Sequence, residues 1–243
     1  GFTIDDGVAA NDTDPDGGTL NVTLVTGPSF ARPGSFQLNS NGTFTYRPLE
    51  NFNGQDTFVY RVNDGVLGSN NFGTVTLTVR EVNDPPIAGP DTLTLREGET
   101  LTIDQATLLA NDVPGPANES AQTLNITSVS PVSFRGGSVT LVGGQITYVP
   151  PENYSGSDSF TYVVTDNGTT AGVASPLSAT GTVTLQISDR NNPPITVGKS
   201  LTAIEDTSAT MTAAQLLAGD TPGPADESSQ TLTVIGVTAA STK

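Results

Sequence analysis

Apolar and polar residues alternate along most of the chain, placing one apolar side chain on the same face at every second position. Leu93/Leu95, Leu124/Ile126, Val139/Leu141, Ile146/Tyr148, Phe160/Tyr162/Val164 and Val183/Leu185/Ile187 keep this period, with Thr, Ser and Gln prominent between them. A period of two predicts half-buried β-strands. Asn41-Gly42, between Phe36-Gln37-Leu38 and Phe44-Thr45-Tyr46, predicts a two-residue hairpin, and Gly143-Gly144 predicts another before Tyr148. Gln105–Ala110 reads as a single helical turn. About seven short strands per module, with frequent turns, predict an all-β fold of two sheets packed face to face.

The pattern repeats. Leu108-Leu-Ala-Asn-Asp-Val-Pro-Gly-Pro116 returns 108 positions later as Leu216-Leu-Ala-Gly-Asp-Thr-Pro-Gly-Pro224. At the same offset Asn118-Glu-Ser-Ala-Gln-Thr-Leu124 returns as Asp226-Glu-Ser-Ser-Gln-Thr-Leu232, and Asn83-Asp-Pro-Pro86 as Asn191-Asn-Pro-Pro194. Phe44–Phe52 matches Ile146–Tyr154 at an offset of 102. A period of about 100 residues is one β-sandwich module. The chain therefore reads as repeat 1 over 1–84 without its first strand, a whole repeat 2 over 85–192, and the N-terminal half of repeat 3 over 193–243. This is the expected appearance of a window taken from a longer tandem array.

Composition narrows the chemistry. Nine Lys+Arg stand against 25 Asp+Glu, a formal charge of −16, and the chain has no Cys, His or Trp. Disulfides, thiolate nucleophiles, Cys/His zinc sites and imidazole bases are excluded. The negative charge repels phosphates and anionic headgroups, so nucleic acid and membrane surfaces are poor partners. No apolar run approaches the length that spans a bilayer. Clustered carboxylates without imidazole or thiolate suit a hard cation, and calcium fits best.

Three constellations carry candidate chemistry. In Asn11-Asp12-Thr13-Asp14-Pro15-Asp16-Gly17-Gly18, carboxylates at alternate positions close on a glycine turn, an arrangement able to aim several oxygens at one cation; the alternative is a solvated Asp/Gly turn. At Glu81-Val82-Asn83-Asp84-Pro85-Pro86 and at Asp189-Arg190-Asn191-Asn192-Pro193-Pro194, acidic and amide oxygens precede a stiff proline pair where modules join. Bound cations bridging two modules compete there with a plain polar linker. Asp56 and Tyr60, repeated as Asp158 and Tyr162, read as a structural tyrosine corner. Asp64 and Asp166 are either turn caps or outer ion ligands. Carboxylates that recur at every junction argue against glycoside hydrolysis, which needs one pair about one cleft; the chain is read as no enzyme.

These motifs resemble bacterial cadherin-like and Ig-like tandem repeats of giant secreted or cell-surface proteins. The acidic loop at 11–17, the Thr-Tyr-x-Pro stretch at 45–60 with its copy at 147–162, and the Val-Asn-Asp-Pro-Pro junction at 82–86 carry the resemblance. It implies Greek-key β-sandwiches in a linear array, with calcium at each junction. Carried over residue by residue, it implies Glu81, Asn83 and Asp84 as linker ligands of the first junction. Asp112 stands where the Asp-x-Asp pair of the following module begins; Pro114 replaces the second Asp, with Asn118 or Glu119 as substitutes. For the second junction it implies Glu97, Asp189, Asn191, Asn192 and Asp220, with Asp226 or Glu227. Asp12 and Asp14 would serve a junction before repeat 1.

The expected function is that of an extracellular structural or adhesive spacer, a rod whose linkers bend when their carboxylates repel and straighten when calcium gathers them. Two other readings stand beside it. One is a module binding surface polysaccharide or a second copy of itself, which the absence of Trp and the core-facing placement of most Phe and Tyr weaken. The other is a filament built head to tail by donation of the first-strand segment after Pro193 to repeat 1.

Overall fold

The computed structural model describes residues 2–3, 7–69 and 71–238. Residues 1 and 4–6, at the start of repeat 1, lie outside them. In chain order the strands are β1 (Phe2–Thr3), β2 (Asn21–Thr26), β3 (Gln37–Leu38), β4 (Phe44–Tyr46), β5 (Gly54–Asn63), β6 (Gly73–Val79), β7 (Asp91–Arg96) and β8 (Leu101–Asp104). There follow β9 (Asn125–Val129), β10 (Ser138–Val142), β11 (Gln145–Val149), β12 (Gly156–Thr165), β13 (Thr169–Thr170), β14 (Val173–Ala174) and β15 (Ser178–Ser188). Among the described residues helix is confined to α1 (Gln105–Leu108), α2 (Ala213–Leu216) and three 3-10 turns. The fold is all-β, as the alternation predicted.

Two compact units form. Unit 1 comprises 1–87, 112–125 and 165–179; unit 2 comprises 88–111, 126–164 and 180–243. In unit 1 the sheets run β1-β4-β3 and β2-β5-β6, antiparallel throughout. Val22, Phe44, Tyr46, Phe58, Tyr60 and Leu77 point between them, and Phe44 and Phe58 meet edge to face with ring centres 5.0 Å apart. Such pairs add to what burial of the rings contributes.

Unit 2 holds sheets β10-β11-β8 and β7-β15-β12-β9. β7 joins β15 in parallel, Leu93 opposite Leu185 and Leu95 opposite Ile187, so the first and last strands of the stretch lie side by side. Ile103, Ile126, Val139, Ile146, Tyr148, Phe160, Tyr162, Val164, Val183, Leu185 and Ile187 are buried, on the faces their spacing predicted.

Two local expectations resolve differently. Gly143-Gly144 is a two-residue turn with both φ positive, since Val142 pairs with Gln145. At Asn41-Gly42 the hairpin forms but its loop is longer. The Asn39 amide donates to the Thr43 carbonyl, and Gly42 donates back to Asn39 and takes φ 86°, the turn-plus-bulge form of hairpin.

Candidate metal centre

The turn that follows Pro116 places the first group of oxygens. Ala117–Glu119 winds one 3-10 turn, and a Cβ on Gly115 would overlap Glu119 Oε2, so the glycine clears the space the carboxylate occupies. Glu119 is 1% exposed. Its Oε1 accepts the Asp84 amide at 2.8 Å, and Gln122, three residues on, donates through Nε2 to Asn83 Oδ1 at 2.8 Å. Asp166, at the end of β12, is also buried and receives three bonds on Oδ1, from Asn83 Nδ2, Gly168 N and Leu177 N. Glu119 Oε2, Gln122 Oε1 and Asp166 Oδ2 are buried and have no hydrogen-bond partner among the described residues. Burial pushes the Glu119 pKa up against the opposing Asp84 amide bond, and the carboxylates of Asp84, Asp166 and Glu81 push it further.

The arrangement recurs in unit 2 at the offset of 108. Glu227, 1% exposed after Pro224, accepts the Asn192 amide on Oε1 and leaves Oε2 unpartnered. Gln230 Nε2 donates to Asn191 Oδ1 at 2.9 Å. The buried Glu97 accepts from Asn192 Nδ2 at 3.1 Å and lies with Asp189 and Asp226 so that one oxygen of each falls within 4.8 Å of the others.

The structure thus brings Glu81, Asn83, Asp84 and Glu119 together, with Asn118 beside them lining the same cavity as Glu81 and Glu119. It also brings together Glu97, Asp189, Asn191, Asn192, Asp226 and Glu227. Asp112 is buried in unit 1. Asp220 instead meets Lys199 Nζ at 2.7 Å and accepts the Val197 amide, which holds its pKa down. Asp14 caps its own loop, accepting Asp16 N and Gly18 N, while Asp12 Oδ2 accepts the Tyr60 hydroxyl at 3.0 Å and Asp16 is exposed. Asp64 caps a turn through Val66 N and Leu67 N.

Gln122 is a site residue that the motifs did not single out, whereas Asp166 stood open between turn cap and outer ion ligand. Gln122 was findable, because it recurs as Gln230 in the copied motif. Asp166 was ambiguous because its role depends on Asn83, far away in sequence.

In the tyrosine corner the Tyr60 hydroxyl bonds to backbone, as such a corner requires, and Asp56 is held by other partners. Asp56 accepts from Tyr46 Oη, Ser29 N, Phe30 N and Thr57 N, while Tyr60 donates to the Val8 carbonyl. Asp158 repeats this with Tyr148, Ser133, Arg135 N and Ser159 N at 2.5–2.8 Å. These aspartates pin loops and line no cleft. Among the described residues Phe30, Phe72 and Phe134 are exposed, outside the core-facing placement expected of most Phe and Tyr.

Residues 1–81 match the bacterial cadherin-like domain and 83–186 the bacterial Ig domain. Integrin beta-like protein C of Dictyostelium discoideum is 26% identical over 129 residues, half of this chain and 6% of that protein. Human CDH23 repeats EC21-23 align over 74% of this chain and 62% of that one at 22% identity and TM-score 0.45. An endo-fucoidan hydrolase of glycoside hydrolase family 107 aligns over 72% and 24% at 20% identity and TM-score 0.26. This chain therefore spans only a small part of the curated relative and of that hydrolase. Among the described residues no helix is long and apolar enough to cross a membrane. The family matches bear out the resemblance carried by the motifs: residues 1–81 are similar to a bacterial cadherin-like domain and 83–186 to a bacterial Ig domain, families that support a structural or adhesive role and are typically non-enzymatic.

Proposed function

We propose that the chain is a non-enzymatic spacer of a large extracellular bacterial protein, divided into the three repeats read from the sequence, and that calcium binds where each Asn-Asp/Asn-Pro-Pro linker meets the next Pro-Gly-Pro turn. One observation carries the reading. Glu119 and Glu227, buried at equivalent positions in two units, each spend one oxygen on a linker amide and leave the other unpaired. A buried ionised oxygen without a partner is costly, and a recurring one implies a partner of positive charge. Lys199 is committed to Asp220, and no side-chain cation of the described residues pairs with Glu119 or Glu227. The donor set consists entirely of oxygens, which selects a hard cation.

Glu119, Asp166, Gln122 and Glu81 would hold the ion in unit 1; Glu97, Asp189, Asp226 and Glu227 would hold it in unit 2. When bound, calcium supplies charge neutralisation. The residues themselves fix the linker backbone: the Asp84 and Asn192 amides and the Glu81 carbonyl are all bonded to the turn or hairpin beside them. Calorimetric titration of the chain is expected to show calcium binding with Kd on the order of 10⁻⁴–10⁻³ M, the range of extracellular modules. An absence of binding heat, together with no thermal shift in 10 mM calcium, would end this reading.

A further inference from the structure

We propose that Asn83 is not an ion ligand but an amide latch that holds the linker and orients Asp166 and Gln122. The argument starts from bonding capacity. A carboxamide offers two N–H donors and one oxygen. Asn83 is 5% exposed; Nδ2 donates to Asp166 Oδ1 and to the Ser175 carbonyl, both at 3.0 Å, and Oδ1 accepts Gln122 Nε2. The other side of Oδ1 is closed by backbone, because a Cβ built on Gly168 would overlap Asn83 Oδ1 outright. Gln122 Nε2 and the Gly168 backbone thus flank that oxygen on two sides and crowd a cation out of them.

The bonds of Asn83 also decide which oxygens are left over. Its donation to Asp166 Oδ1, with those of Gly168 N and Leu177 N, leaves Oδ2 unpartnered; its acceptance from Gln122 Nε2 leaves Oε1 unpartnered. Around this side chain the linker backbone is bonded along its length. Asn83 N donates to Thr170 Oγ1, the Glu81 carbonyl accepts Ala171 N, Asp84 N reaches Glu119, and Ile87 exchanges both backbone bonds with Val113. The linker is therefore held by amide hydrogen bonds of its own, and a cation at Glu119 adds to a joint that is already formed. The latch needs no cation, whereas its effect on affinity rests on the calcium reading above.

Asparagine and aspartate separate the two roles. Were Asn83 a ligand, Asn83→Asp would bind calcium equally or more tightly. As a latch it loses both donors and faces Asp166 with like charge, so calcium affinity is expected to fall about 10- to 100-fold, as for other partners that orient metal ligands. Gly168→Ala removes no oxygen, yet it displaces Asn83 and is expected to act in the same direction. Hydrogen exchange on the full chain in EGTA reads the latch without any ion. Residues 81–87 of the unsubstituted protein are expected to stay protected, and those of both variants to exchange at least tenfold faster while residues 158–164 stay protected. Fast exchange of 81–87 in the unsubstituted protein in EGTA, or unweakened calcium binding by Asn83→Asp, overturns the proposal. Should both variants misfold, the unsubstituted protein in EGTA still decides it. Protection in EGTA without any calcium binding leaves the latch standing and removes the calcium reading alone.

Discussion

Asp158 is 2% exposed, yet its pKa lies below the ordinary carboxylate range. Burial alone would raise it, but the hydrogen bonds from Ser133, Tyr148, Ser159 N and Arg135 N favour the ionised form and outweigh burial. Asp56 is lowered in the same way, and its partner Tyr46 is pushed up to about 12 by burial and then by Asp56. A depressed acid stabilises the fold fully above its unfolded value, about 3.9, and this stabilisation is lost as pH falls towards the native value. Asp158→Asn is expected to cost about 1–3 kcal/mol at pH 7 in urea melts and to flatten the loss of stability between pH 4 and pH 2. A steeper acid limb in the variant would contradict this. Glu119 has the opposite sign, because burial and its acidic neighbours penalise its charge. Glu119→Gln is therefore expected to raise the melting temperature in EGTA and to abolish the calcium-induced rise that unit 1 contributes.

At the scale of elements, a glycine faces a tyrosine across neighbouring strands. Gly73 of β6 stands opposite Tyr60 of β5, and a Cβ on Gly73 would overlap the Tyr60 ring. Gly181 of β15 meets the Tyr162 ring in the same way. The missing side chain lets each ring lie flat over its neighbour strand, and the Tyr60 hydroxyl reaches the Val8 carbonyl at 2.9 Å. Gly181→Ala is expected to destabilise by about 1–3 kcal/mol, as overpacking does, with no change in calcium affinity. Calorimetric melting together with titration checks both halves of that statement. Strand positions were readable because a period of two has one physical cause, burial of a single face. The Asn41-Gly42 loop was misjudged in length because Asn39 and Gly42 pair with each other, which a dipeptide signal does not encode.

Across the whole molecule, a charge of −16 works against compaction by self-repulsion. Monovalent salt should relieve some of this by screening, over about 10 Å at 0.1 M. Calcium should do more than screening. With Kd on the order of 10⁻⁴–10⁻³ M, 10 mM calcium stabilises by about 1.4–2.7 kcal/mol per site. Thermal melts in calcium and in sodium or magnesium of matched ionic strength are expected to rank calcium first, because magnesium gives up its waters reluctantly and demands stricter geometry. Equal shifts from all three would leave only screening.

By itself the sequence determined the all-β class, the repeat spacing, the oxygen-only chemistry and most residues of the linker clusters. Each of these follows from local periodicity, from composition or from copied motifs. Tertiary structure decided how the acids are used. Asp14 turned to its own loop amides, Asp220 to Lys199, and Asp166 to Asn83. Such choices depend on which donors the fold brings within about 3 Å of a carboxylate. Residues 83 and 166 become neighbours through chain folding, and no spacing along the chain encodes that.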